Sequence, residues 1–160
     1  MHRLASLGFF LLLVVIAATV GGQFTGGDWY HQIMNQPSWN PPAMLMASVW
    51  AVVYVLMAVS AWMVWDAMRG LAAVPLALWG SQLLLNICWS WLFFGLHRPG
   101  GALAVMTLWV LVALIVVKTF RPIKLEASSL MMPVAAWLLF CWALGFVQWR
   151  LNGGGLGSLL

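Results

Sequence analysis

Apolar residues in this chain run together and do not alternate with polar ones. Five charge-free stretches follow one another, at approximately 4–22, 43–65, 71–95, 101–117 and 129–149. A helix crossing a hydrocarbon core of about 30 Å needs roughly 17–25 such residues. Membrane strands would instead alternate over about ten. The pattern predicts an all-α integral membrane protein, a five-transmembrane-helix bundle with a long aromatic first loop at 23–42. Residues 1–152 read as a single membrane domain and 153–160 as a flexible Gly-rich tail. The first stretch follows a basic Met1-His2-Arg3 and resembles a signal peptide. Its apolar run is long for one and Ala17-Ala18-Thr19 is a poor cleavage site, so a retained helix is expected.

Composition strengthens this reading. At 64% hydrophobic and 6% charged residues, the chain could not cover its apolar surface as a soluble domain. The net charge of +4 follows from topology and not from nucleic-acid binding. The N-terminus and loops 2–3 and 4–5 share one side and carry Arg3, Arg69, Lys118, Arg121 and Lys124. The other side carries Arg98 and Arg150. The positive-inside rule then puts the N-terminus in the cytoplasm of a bacterial inner membrane, with an outer membrane as the alternative. Cys88 and Cys141 match no metal or haem spacing and read as small buried apolar residues. No metal site is expected. Asp28, Asp66 and Glu126 lie at loops or helix ends, which leaves no buried acid–base pair for ordinary hydrolytic chemistry.

The twelve tryptophans sharpen the picture. Membrane proteins hold Trp at the two water interfaces, and Trp62, Trp65 and Trp149 fit that use. Trp50, Trp89 and Trp137 fall deep inside apolar runs. At about 1.5 Å per residue, Trp50 lies roughly 12 Å from the face bearing loop 1–2, Asn86 roughly 14 Å, Ser90 roughly 8 Å and Trp137 roughly 18 Å. Gln82, Asn86 and Ser90 share one face of helix 3. Two roles fit them: hydrogen bonds to neighbouring helices, or the polar side of a ligand cavity. Tyr54 and Cys141 extend the Trp50 and Trp137 faces at i+4. Trp79, Trp89, Trp91, Trp109 and Trp142 read as packing or lipid-facing residues. A second stripe on helix 3, Ala73, Ala77 and Ser81, permits close helix approach within the chain or in a dimer.

In the first loop, 29–36 predicts a short helix with Asp28 as N-cap, ended by Pro37. Pro41-Pro42 stiffens the entry to helix 2. Trp29 and Trp39 suit a stiff lid over one end of the bundle. His31 reads as a solvent-exposed loop residue, with metal or porphyrin ligation as the alternative.

Trp29-Tyr30, the run Pro37-Ser38-Trp39-Asn40-Pro41-Pro42, then Trp50 and Tyr54, resemble the TspO/MBR family of translocator and tryptophan-rich sensory proteins. So do Gln82 to Gly95 in helix 3, Pro133 with Trp137, and Trp149-Arg150-Leu151-Asn152. The resemblance implies a five-helix homodimer with an intramembrane pocket for porphyrins and, in some members, sterols or benzodiazepine-type drugs. Tyr30, Trp50, Asn86, Ser90 and Trp137 would line it, and Trp39, Tyr54 and Cys141 join them as expected ligand-binding residues. Protoporphyrin IX or haem would be a ligand and not a required cofactor. The chain departs from the family at Pro133-Val134 and Leu144-Gly145. Only Phe146 and Trp149 stand where a strict sterol motif near Arg150 needs tyrosine.

Three functions follow as expectations. One is a receptor or transport protein for tetrapyrroles, linked to tetrapyrrole and stress regulation. Another is light-dependent porphyrin breakdown, with Trp50 and Trp137 as the oxidisable indoles. The last is a regulatory scaffold without ligand chemistry of its own.

Overall fold

The computed structural model describes residues 2–24, 26–69 and 71–154. The five apolar runs form five helices: α1 (His2–Gly21), α2 (Ala43–Ala67), α3 (Ala73–Ser90), α4 (Pro99–Phe120) and α5 (Leu125–Leu151). All five are long and apolar enough to cross a membrane, α3 together with its π-helical extension Trp91–Gly95. The protein is a multi-pass membrane protein. Its helices pack as a closed ring in the order α1, α2, α5, α4, α3 and back to α1.

Helices α4 and α5 both run past the charge-free stretches that predicted them. Lys118 and Glu126 lie in their end turns, where long side chains reach water while the backbone stays helical. Helix α3 starts two residues later than expected, at Ala73.

The ring is tied by polar groups that each satisfy a partner inside the bundle, as a low-dielectric interior requires. The Ser60 hydroxyl donates to the Ala127 carbonyl at 2.8 Å, joining α2 to α5. Ser128 donates to the Val117 carbonyl at 2.7 Å, joining α5 to α4. The buried Trp79 indole donates to the Met57 carbonyl at 3.0 Å and packs edge-on against Phe10 at 5.5 Å, drawing α3, α2 and α1 together. On the exposed outer side of the bundle, Trp142 of α5 donates to Thr107 of α4 at 2.9 Å. Trp109 is wholly buried, whereas Trp91 faces outward.

Cys141 is buried as expected, but Cys88 is exposed. It follows Asn86 by two residues, which turns it about 200° from the buried face. Ala73 and Ala77 also lie outward, with Ser81 half-buried between them and the core. Gly154 closes back on α5, its N–H donating to the Trp149 carbonyl at 2.9 Å. The rest of the tail, 155–160, lies outside the described residues.

Candidate functional site

The first loop is built differently from the expected short helix. Trp29–Ile33 is one π-helical turn, closed by Met34 N–H donating to the Trp29 carbonyl at 2.9 Å. It ends at Met34, which is extended and buried, so the chain stops spiralling three residues before Pro37. Asp28 makes no side-chain cap. Its carboxylate instead accepts from the Gln32 amide at 2.9 Å, four residues on. Close packing fixes Gly26 as glycine: a Cβ there would sit 2.2 Å from that of Tyr30 and 3.0 Å from the Phe94 ring.

Three contacts fasten this turn over the bundle. Asn152, just past α5, accepts from the Asn35 N–H at 2.8 Å and donates to the Asn35 carbonyl at 2.8 Å. The Tyr30 hydroxyl accepts from Gln148 on α5 at 3.2 Å and from Asn40 at 3.4 Å. Trp29 stacks on His97 of the α3–α4 connection, with rings 4.3 Å apart and 15° from parallel. Beneath the lid, Met34, Phe93 and Ala102 form a small apolar cluster separate from the main core.

Between lid and bundle lies a cavity of about 560 Å³. Aromatic faces from Tyr30, Trp50, Trp89, Phe24 and Phe94 line it. Polar atoms come from His31, Gln36 and Asn40, and Pro41, Pro42 and Met46 line it from the start of α2. A small adjoining void, lined in part by Tyr30, Trp50, Cys141 and Gln148, leads toward α5. The size suits a drug-sized or cofactor-sized ligand, as does the mostly apolar lining with a few convergent polar groups.

The residues expected from the sequence divide into layers. Tyr30 and Trp50 line the cavity, and Cys141 the adjoining void. Trp137 sits behind Trp50, meeting it edge-on at 6.3 Å and stacking on Phe140 at 5.1 Å. Trp39 meets Phe140 edge-on, at 6.1 Å. Trp50 also stacks on Trp109 at 5.7 Å. Asn86 accepts a hydrogen bond from the Tyr54 hydroxyl at 3.0 Å. Ser90 lies under the end of α1, where a Cβ on Gly21 would come within 3.1 Å of its hydroxyl and 3.4 Å of the Asn86 amide oxygen. Asn86 thus meets α2 and Ser90 lies against α1, whereas Gln82, the third member of the stripe, is buried without a hydrogen-bond partner among the described residues.

Trp89, expected as a packing or lipid-facing residue, instead lines the cavity, and Phe94, Phe24 and Met46, which the sequence did not single out, line it too. Phe94 continues the i+4 series of Gln82, Asn86 and Ser90, a signal that was available. The π turn of Trp91–Gly95, marked by Leu96 N–H donating to the Trp91 carbonyl at 2.8 Å, was not. Such turns insert a residue into the helix and often mark functional sites.

The profile of the TspO/MBR family matches residues 9–150. The chain belongs to the TspO/MBR family. It is similar to the protein CrtK of Rhodobacter capsulatus, at 38% identity over 86% of this chain and 87% of that protein. The translocator protein of Bos taurus is 33% identical over 89% of this chain and 88% of its own length. The tryptophan-rich sensory protein of Cereibacter sphaeroides is 33% identical over 89% of each. The lidded cavity of this TspO/MBR chain holds no carboxylate among its described lining residues. No group of three or more potential metal-ligating His, Cys, Asp or Glu residues occurs among the described residues.

Proposed function

We propose that this TspO/MBR protein is a membrane receptor or transport protein for porphyrins, bound in the cavity beneath the first loop. The observation that carries the reading is the 560 Å³ cavity with Trp50, Trp89 and Phe94 as aromatic walls and polar groups at its lid. A flat, conjugated, largely apolar macrocycle gains stacking and dispersion on such walls. Its polar edge can meet Gln36, Asn40 and His31. Protoporphyrin IX or haem would enter as ligand. Ala73, Ala77 and Ser81 on the outer side of α3 would support a homodimer. The charge distribution favours an inner membrane with the N-terminus in the cytoplasm.

The test is a protoporphyrin IX titration of protein in nanodiscs, read by tryptophan quenching and porphyrin absorption. Truncation of Trp50 to Ala removes one stacking face and its buried area, about 2 kcal/mol, so Kd should rise roughly thirty-fold. Trp91→Ala, on the outer face, should leave Kd unchanged. Equal affinities in wild type and Trp50→Ala would move the site elsewhere.

Porphyrin breakdown in light is favoured by a separate observation. Trp50 at the cavity wall is in ring contact with both Trp109 and Trp137, a group of oxidisable indoles beside a photosensitising ligand. Illumination of the complex should then bleach the porphyrin bands faster than in Trp50→Phe. A bound porphyrin that is stable to light leaves the binding role alone.

A further inference from the structure

At the end of the bundle far from the lid, the Ser60–Ala127 bond fixes how α2 and α5 meet. The two helices run antiparallel, so Lys124, the residue before α5, falls close to level with Met63. Helix α2 continues to Ala67, rising about 6 Å beyond that level. The overhang leaves a notch of about 240 Å³, lined by Trp62, Met63, Asp66, Ala67 and Lys124. It is separate from the lidded cavity and falls below the size of drug-sized pockets.

The chemistry of the lining decides what the notch suits. Asp66 brings a carboxylate from α2, Lys124 an ammonium from the start of α5, and Trp62 an indole, all three half-buried. A ligand with one charge would meet a like charge on one wall, which is costly. A ligand carrying both charges is matched on both walls. The helix ends add the same signs, since α2 ends negative beside Asp66 and α5 begins positive beside Lys124. The order of the charges along the helix axis is also set. Asp66 lies about 4.5 Å nearer to water than the level of Lys124. In a zwitterionic phospholipid the phosphate likewise lies inside and the amine outside. Trp62 is near the helix end, where indoles meet headgroups and attract cations.

We infer that this notch holds the headgroup of a phosphatidylethanolamine-type lipid, with its phosphate on Lys124 and its primary ammonium on Asp66. The primary amine follows from the carboxylate. Its N–H groups give Asp66 charge-assisted hydrogen bonds, which a quaternary amine cannot donate. The lid and the notch lie at opposite ends of α2, so the inference is independent of the porphyrin reading.

The experiment titrates full-length protein in detergent with phosphatidylethanolamine, phosphatidylcholine and phosphatidylglycerol of one acyl composition. Native mass spectrometry counts the bound lipids. Wild type should bind its first phosphatidylethanolamine about five-fold more tightly than either other lipid. Asp66→Asn should lose that preference and Asp66→Glu keep it. Lys124→Gln should weaken the first binding of all three, since each carries the phosphate. Arg121→Gln alters an exposed basic residue outside the notch and should leave the preference unchanged. Equal first affinities for the three lipids in wild type would overturn the inference without any variant. So would phosphatidylcholine binding as tightly as phosphatidylethanolamine, or phosphatidylglycerol binding most tightly, the result that a diffuse basic surface gives. A preference that survives Asp66→Asn would overturn it as well.

Discussion

Asn152 is the single side chain on which closure of the lid most depends, and its removal can be read directly. Replacing it with Ala deletes the donor and acceptor that hold Asn35, at 2.8 Å each, and the 2.7 Å bond that anchors the same amide to the Gln148 carbonyl. The two bonds to the loop are partly solvent-exposed, so each contributes about 1 kcal/mol net. Their joint loss of about 2 kcal/mol raises the open population of the lid roughly thirty-fold. Hydrogen exchange of the Asn35 amide in nanodiscs measures that population, since its N–H donates to Asn152. The amide should exchange about thirty times faster in Asn152→Ala, while amides in the middle of α2 keep their rates. Asn152→Asp keeps an acceptor for the Asn35 N–H and loses the donor to its carbonyl, so its rate should fall between the two. An Asn35 amide that exchanges equally in wild type and Asn152→Ala would refute the clamp, leaving Tyr30–Gln148 and Trp29–His97 to hold the lid unaided.

Other substitutions probe the bundle and the lid. Gln82 is fully buried with neither end of its amide hydrogen-bonded. Gln82→Leu has similar bulk and removes a desolvation cost of about 1–3 kcal/mol, so the variant should melt several degrees higher; a lower Tm would mean that the amide supports the bundle. Gly26→Ala must displace Tyr30, and porphyrin affinity should drop with it. Unchanged affinity would show that the lid can shift without reshaping the cavity. Ser60→Ala removes the bond from α2 to α5 and should cost about 1 kcal/mol in thermal unfolding; an unchanged Tm would make that bond dispensable.

The bundle was legible because lipid leaves a spanning backbone so few choices. Length and lack of charge located five helices, and the errors came at their ends, where Lys118 and Glu126 lie inside helical turns that a charge count excludes. The depth of Trp50 and Asn86 was also readable from rise per residue. What depth could not give was partnership. Asn86 matched the expected level but is engaged by Tyr54, and Trp137 stands behind Trp50 and not beside the cavity. Trp89 lies in α3 before the π turn and reads from the sequence as a packing or lipid-facing residue, while Phe94 continues the Gln82, Asn86 and Ser90 series at i+4 without a polar atom to single it out. The lid escaped for a different reason. Asn35 and Asn152 are separated by 117 residues, and nothing local in either segment announces the other.

That separation has a consequence for biosynthesis. The first loop leaves the ribosome after α1, but two of its three fastenings, Gln148 and Asn152, are made only at the end of α5. Until then the Trp29–His97 stack is the one described fastening available to the loop. Full closure of the lid thus reports that all five helices have been made.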